Sequence, residues 1–252
     1  MTLRSVAEKL SHSFVIPRRL PSPFNTRIFT STEGGLRYLR PSLDRADPML
    51  FRLADQLVEP GSVVWDIGAN MGLFAFAAAC KTGAAGRVIA VEADPYNANL
   101  LRRSVAIQPA TSARVEVLPV AISDQVGIAT FQIAQRNRST NALRGFGSSQ
   151  MGGVREEQLV PTFTLDSIHE HLPAPDVLKI DVEGAEILAL SGGRNVLERQ
   201  PVLICEVSKQ NSSTVAQMLR AFGYEFFDAE DDQRRSPVDD PPFNLLALPS
   251  SA

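Results

Sequence analysis

Only two cysteines occur in the 252 residues, Cys80 and Cys205, each inside an apolar run, without CxxC spacing and without a nearby histidine. This usage argues against a disulfide framework or a zinc site, and buried free thiols are expected. A basic excess is also missing. With 25 Lys and Arg against 28 Asp and Glu, the net charge is -3, so the chain carries no footprint for neutralising phosphates, and nucleic acid is not an expected partner. The longest apolar runs, such as LFAFAAAC, are too short to span a bilayer, and the opening MTLRSVAEKLSHSFVIPRRL has no continuous apolar segment of the signal-peptide kind. The expectation is a soluble, cytoplasmic protein with no membrane insertion. Histidine is scarce. None of His12, His169 and His171 falls at a predicted strand end, so surface or helix-capping roles are expected for them. No repeat is visible, and nothing in the pattern sets an oligomeric state.

What is present is a chain 44% hydrophobic and 21% charged, long enough for one sizeable core. Over residues 56–252, short β-branched runs alternate with helical patterns. This predicts an α/β domain with a doubly wound, mostly parallel sheet and helices on both faces. The predicted strands are VVWDI, RVIAVE, RVEVLPVAIS, IATFQIA, QLVPTFTL, VLKIDV, PVLICEV, YEFFD and NLLAL. LFAFAAAC, PYNANLLRRSVA (opened by Pro95), AEILALSGGRNVLER and STVAQMLRAFG read as helices. The stretch QRNRSTNALRGFGSSQMGGVREE lacks apolar periodicity and reads as a mobile loop or lid. Residues 1–55 differ in character and are expected to form an extension, with a hairpin in TRIFTSTEGGLRYLRP turning at Gly34-Gly35.

After the first strand of that domain the chain reads Asp66-Ile67-Gly68-Ala69-Asn70-Met71-Gly72. This is not the phosphate-cradling GxGxxG. The spacing matches the DxGxGxG turn of S-adenosylmethionine binding with Asn70 at the middle glycine, and Asn tolerates positive φ better than most residues. Glu92 ends the second strand, where its two oxygens are placed to accept both ribose hydroxyls. Asp66, Glu92, Asp94, Asp124, Asp181 and Glu183 all fall at or just beyond predicted strand ends. Such a rim suits a sulfonium and an ammonium better than an anionic pyrophosphate. The competing explanation is that these acids cap the helices that follow, as Asp94 before Pro95 is positioned to do.

DIGANMG, RVIAVEADPYNANLLRRS, VAISD, TLDSI and LKIDVEGAE, in that order, resemble the FkbM family of S-adenosylmethionine-dependent methyltransferases over roughly the last two hundred residues. The resemblance implies a class I, Rossmann-like fold and O-methylation of a hydroxyl on a glycan, polyketide or other small metabolite. It implies that Asp66, Gly68, Asn70 and Gly72 line the methionine portion of the cofactor and that Glu92, with Ala93 beside it, holds the ribose. Ser123 and Asp124 would lie by the adenine, and Asp181 and Glu183 would face the reacting centre. RSTNAL would occupy the variable substrate region, giving Ser139 and Asn141 to the acceptor, and FNLLALP would be the last strand.

In VLKIDVEGAE, extended geometry puts Lys179 and Asp181, with Glu183 beyond them, on one face, and turns Glu186 into the next helix as a first-turn acid. A lysine in a strand buried on both sides needs a partner. Glu206, on the expected neighbouring strand and bordering the acceptor, is the candidate. Methyl transfer to oxygen needs in-line alignment and removal of the hydroxyl proton. Asp181 or Glu183 is the preferred base. A divalent metal, magnesium by its oxygen ligands, held by Asp181, Glu183 and Glu206 is the alternative. A non-catalytic cofactor-binding protein and a nicotinamide oxidoreductase are the other functional classes.

Overall fold

A computed structural model describes residues 14–147, 149–233 and 236–250. The domain is built on a seven-stranded sheet. Its strands are β3 (Val63–Ile67), β4 (Arg87–Val91), β5 (Arg114–Leu118), β10 (Val177–Ile180), β11 (Val202–Glu206), β12 (Tyr224–Asp228) and β13 (Asn244–Pro249). They run in the order β12-β13-β11-β10-β3-β4-β5. All pairings are parallel except those of β13, which runs antiparallel between β11 and β12. The doubly wound, mostly parallel α/β sheet expected from the strand-helix alternation is therefore present.

Strand side chains alternate between two cores because successive residues point to opposite faces. Val64, Val88 and Ala90 meet α1 (Pro48–Leu57), α2 (Leu73–Thr82) and α3 (Pro95–Val105) on one face. Trp65, Ile67, Ile89 and Val91 meet α4 (Leu165–His169), α5 (Glu186–Ser191), α6 (Arg194–Leu197) and α7 (Ser212–Ala221) on the other. Both faces being covered explains why these strands read as continuous apolar runs. Cys205 is buried in the second core and Cys80 is half-buried beside the first, both as free thiols.

Four local expectations change. RVEVLPVAIS is not one strand: Pro119 has no N–H to offer the ladder, and the chain leaves β5 to form β6 (Ala121–Ile122) in a second sheet. That sheet, ordered β6-β9-β7-β8, is completed by β7 (Gly127–Ala134), β8 (Ala142–Leu143) and β9 (Val154–Phe163). AEILALSGGRNVLER breaks into α5 and α6 at Gly192 and Gly193, where a side chain would run into Ser123 and Leu165. The hairpin of the extension pairs β1 (Val15–Arg19) with β2 (Arg27–Ser31), not the segments around Gly34-Gly35. Gly34 instead ends a 3-10 turn packed so tightly against Met71 that any side chain would collide with it. Finally, the polar stretch from Gln135 to Glu157 is not a bare loop. It carries β8, the start of β9 and the buried residues Thr140, Asn141 and Met151.

Candidate active site

The carboxyl ends of β3, β4 and β10 converge on a cleft of about 590 Å³ lined by Gly68, Asn70, Glu92 and Ala93 on its polar side and by Val120, Ile122, Phe131 and Leu143 on its apolar side. The turn that shapes it has left-handed backbone at Gly68 (φ 75°), Asn70 (φ 51°) and Gly72 (φ 86°). Any Cβ at Gly68 would strike the Asp181 carbonyl oxygen, so glycine lets the β3 turn pass against β10. Glu92 is 6% exposed. Its Oε2 accepts the Asn70 N–H at 2.6 Å and its Oε1 the Asp94 N–H at 2.8 Å. Burial pushes this carboxyl up to about 8 despite those two bonds. Each oxygen retains acceptor capacity towards the cleft.

The Lys179–Glu206 pair expected from the sequence does not form. Lys179 Nζ lies 3.0 Å from Asp66 Oδ1 and 3.5 Å from Asp181 Oδ2. The parallel register explains this, because it sets Lys179 directly opposite Asp66 on β3, whereas its neighbour on β11 is Ile204. Burial opposes the ammonium, but Asp66 and Asp181 outweigh it and hold the Lys179 pKa above its ordinary value. Asp66 also accepts the Ala75 N–H at 3.0 Å. It thus ties β3 to the first turn of α2 and stays out of the first cleft.

Asp66, Lys179, Asp181, Glu183 and Glu206 border a second cavity, of about 810 Å³, which shares Gly68, Asn70, Ser139, Asp181 and Glu183 with the first. The two therefore adjoin, with Asp181 and Glu183 on the wall between them. Glu183 has left-handed backbone (φ 50°) followed by Gly184 (φ 102°), a turn in which L side chains are uncommon. Burial, with the charges of Asp181 and Glu186, raises the Glu183 pKa to about 7. Burial and Asp181 raise that of Glu206 to about 8. Glu186 opens α5 and accepts from the Gly184 N–H and from Asn211 Nδ2, as a helix-start acid should. Among the described residues, no group of three or more His, Cys, Asp or Glu side chains is disposed to hold a metal ion.

The remaining candidates separate. Ser139 borders both cavities. Asn141 lines the first but is bonded to Asp94 Oδ2 (2.9 Å) and the Ala134 N–H (2.8 Å), so it braces the wall. Gly72 caps α2 against Phe76 and Leu101 and does not line the cleft. Ser123 and Asp124 also lie outside it. Ser123 donates its N–H to Phe163 and its hydroxyl to the exposed Asp124. His169 contacts the Leu172 carbonyl, His171 is exposed, and His12 lies outside the described residues.

Sequence reasoning missed Arg37, Asp47, Arg138 and Phe243. Arg37 and Asp47 bring the extension into the second cavity. Asp47 is the N-cap of α1, accepting the Leu50 N–H at 3.1 Å, and the Asp-Pro start of that helix was its one available signal. Arg138 lines the first cleft. It binds both oxygens of Asp94 (2.9 and 2.7 Å), pairs with Glu33 and stacks 4.5 Å from the Tyr96 ring centroid. No local pattern announces a contact spanning a hundred residues.

The model of the methyltransferase FkbM domain matches residues 66–226. The chain belongs to the FkbM methyltransferase family. Its sheet and the carboxyl-end cleft are those expected of a class I methyltransferase. The hexuronic acid methyltransferase AglP of Haloferax volcanii is 28% identical over 164 residues, covering 65% of this chain and 63% of AglP. The chain thus spans less than two thirds of that relative. A crystal structure of methyltransferase FkbM from Methylobacillus flagellatus KT aligns with 79% of this chain and 47% of its own, at 18% identity and a TM-score of 0.48. For the TehB-like SAM-dependent methyltransferase of Corynebacterium glutamicum the shares are 79% and 85%, with 10% identity and a TM-score of 0.44.

Proposed function

We propose that this FkbM-family protein is an S-adenosylmethionine-dependent O-methyltransferase acting on a hydroxyl of a glycan or other small metabolite. The observation that carries the reading is the adjacency of the Gly68–Asn70–Glu92 cleft to an acidic cavity, with Asp181 and Glu183 bordering both. The residues suit the cofactor. The glycine turn leaves backbone room, Glu92 presents a buried carboxyl group to a diol, and the apolar wall of Val120, Ile122 and Phe131 suits a flat base.

When bound, S-adenosylmethionine supplies a methyl group on a sulfonium. Asp181, 3.5 Å from Lys179 Nζ, lies where positive charge at the junction of the cavities would be supported. Glu183, poised near 7, takes the acceptor proton as general base. The turn at Glu183-Gly184 fixes the direction from which the base reaches the acceptor. Ser139, on the wall common to both cavities, orients the acceptor hydroxyl.

Calorimetry with S-adenosylmethionine, its demethylated product and NAD tests the binding half of this reading. The first two should bind and NAD should not. Binding of NAD alone would support the oxidoreductase alternative and sink this one. Labelled S-adenosylmethionine with a screen of hydroxylated acceptors, hexuronic acid glycans included because of the named relative, tests the transfer half. Cofactor binding without product on any acceptor would favour a non-catalytic binding protein.

A further inference from the structure

The second cavity does not end at the acidic cluster. It adjoins an open groove of about 1300 Å³, and the two share Gln150, Glu183, Glu206 and Phe243. The Phe243 side chain stands at this junction with 57% of its surface exposed, just before β13 begins at Asn244. Its carbonyl accepts the Val207 N–H at 2.7 Å, so the backbone beneath the ring is pinned to the end of β11. The ring is thus an exposed aromatic face held at a fixed point between two polar hollows. Beyond it the groove presents Lys209 and Gln210. Among the described residues, neither has a side-chain hydrogen bond or ion pair.

We infer that this groove is a second acceptor subsite, and that the acceptor is an oligosaccharide whose neighbouring sugar stacks on Phe243 while its hydroxyls meet Lys209 and Gln210. The inference rests on the methyltransferase reading above and narrows it from glycans and metabolites in general to a chain of more than one sugar. The chemistry of the walls selects that occupant. An aromatic face suits the apolar C–H face of a pyranose. Carboxylates, amides and an ammonium around it offer the donors and acceptors a polyol needs. A polyketide-like, mainly apolar acceptor would bury these groups without partners, at a cost. Lys209 and Gln210 line the groove but not the second cavity, so a single unit bound at Glu183 in that cavity would leave them in water.

The test uses the full chain with labelled S-adenosylmethionine and matched mono-, di- and trisaccharides of glucose and of glucuronate, reading kcat/KM for each length. Turnover should rise at least tenfold from mono- to trisaccharide in one of the series, mostly through KM. Phe243→Ala should bring that length advantage close to one, and Lys209→Ala with Gln210→Ala should reduce it at least threefold. Unchanged cofactor affinity and unfolding temperature in the variants establish that they are folded. Equal turnover at all lengths, or a length advantage untouched by both variants, overturns the subsite. So does methylation of a basic peptide in place of every saccharide, or no saccharide product from protein that binds S-adenosylmethionine. Failure to bind S-adenosylmethionine at all would instead overturn the methyltransferase reading beneath it.

Discussion

Lys179 and Asp66 form a buried ion pair of 3.0 Å across the parallel register of β10 and β3, with only 5% and 1% of their side chains exposed. Lys179 Nζ also lies 3.4 Å from the Gly68 carbonyl oxygen, to which it donates. One ammonium thereby supports the glycine turn after β3 from beneath, fixes the carboxylate that holds the start of α2, and lies beside Asp181 where the two cavities adjoin. The charge in the middle of an apolar strand is a strut between the two halves of the site.

Removing that ammonium leaves Asp66 buried without a countercharge. Lys179→Met should therefore lower the unfolding free energy by about 3–5 kcal/mol, the range for breaking one side of a buried pair. Adding Asp66→Asn should recover part of the loss. A double-mutant cycle in urea should give a larger coupling for Lys179 with Asp66 than with Glu206. Equal couplings would mean that the ammonium is shared among the acids and that register does not choose its partner.

The raised carboxyls predict an unusual pH dependence of stability. Glu92 and Glu206 near 8 and Glu183 near 7 hold protons in the folded chain that the unfolded chain has already released by about pH 5. Between pH 5 and 8 the unfolded state then binds fewer protons, so stability falls as pH rises. The unfolding temperature should drop across this window, and Glu206→Gln should flatten the drop. A rise in unfolding temperature from pH 5 to 8 in the ligand-free protein would contradict these assignments.

Arg138 joins the extension, the second sheet and the first cleft through Glu33 and Asp94. Burial works against ionisation of Glu33, but Arg138 and Arg155 outweigh it and hold the carboxyl below its usual value. Glu33→Gln should cost about 1.5–3 kcal/mol, the scale for hydrogen bonds to charged groups. Limited proteolysis within residues 144–153 should accelerate with it. Cleavage at the wild-type rate would show that the segment is held by β8 and Met151 alone.

The sequence made the sheet legible because strands buried on both faces are apolar throughout, and the turn after β3 legible because its glycines are local. It carried the strand-end acids for the same reason. Contacts fixed by register or by distance in the chain were not legible. Glu206 looked like the partner of Lys179 because adjacency of strands can be inferred while their stagger cannot, and stagger decides which acid lies opposite. The polar stretch hid short β8 and the Arg138 clasp, whose stability comes from Glu33 and Asp94 far away. The glycine pair at 34–35 imitated a hairpin turn although Gly34 is there to clear Met71.

Glu183 and Asp181 now have distinguishable parts, since Lys179 lies within ion-pair distance of Asp181 while no ion pair engages Glu183 among the described residues. If Glu183 is the base, Glu183→Gln should lose on the order of a hundredfold or more in turnover with the fold and cofactor affinity retained. The wild-type profile should climb with pH to a plateau above about 7, where the carboxyl gives up its proton, and the variant should lose that limb. Asp181→Asn leaves Lys179 with Asp66 and removes a charge that helps raise Glu183, so it should lower cofactor affinity and turnover and shift the limb to lower pH without abolishing it. Chelator treatment separates the metal alternative. If Asp181, Glu183 and Glu206 work through magnesium, chelation should abolish wild-type activity and added magnesium restore it, whereas a carboxylate base is indifferent to both. Near-normal turnover in Glu183→Gln, or a limb that survives it, would take the proton-removing role away from this residue.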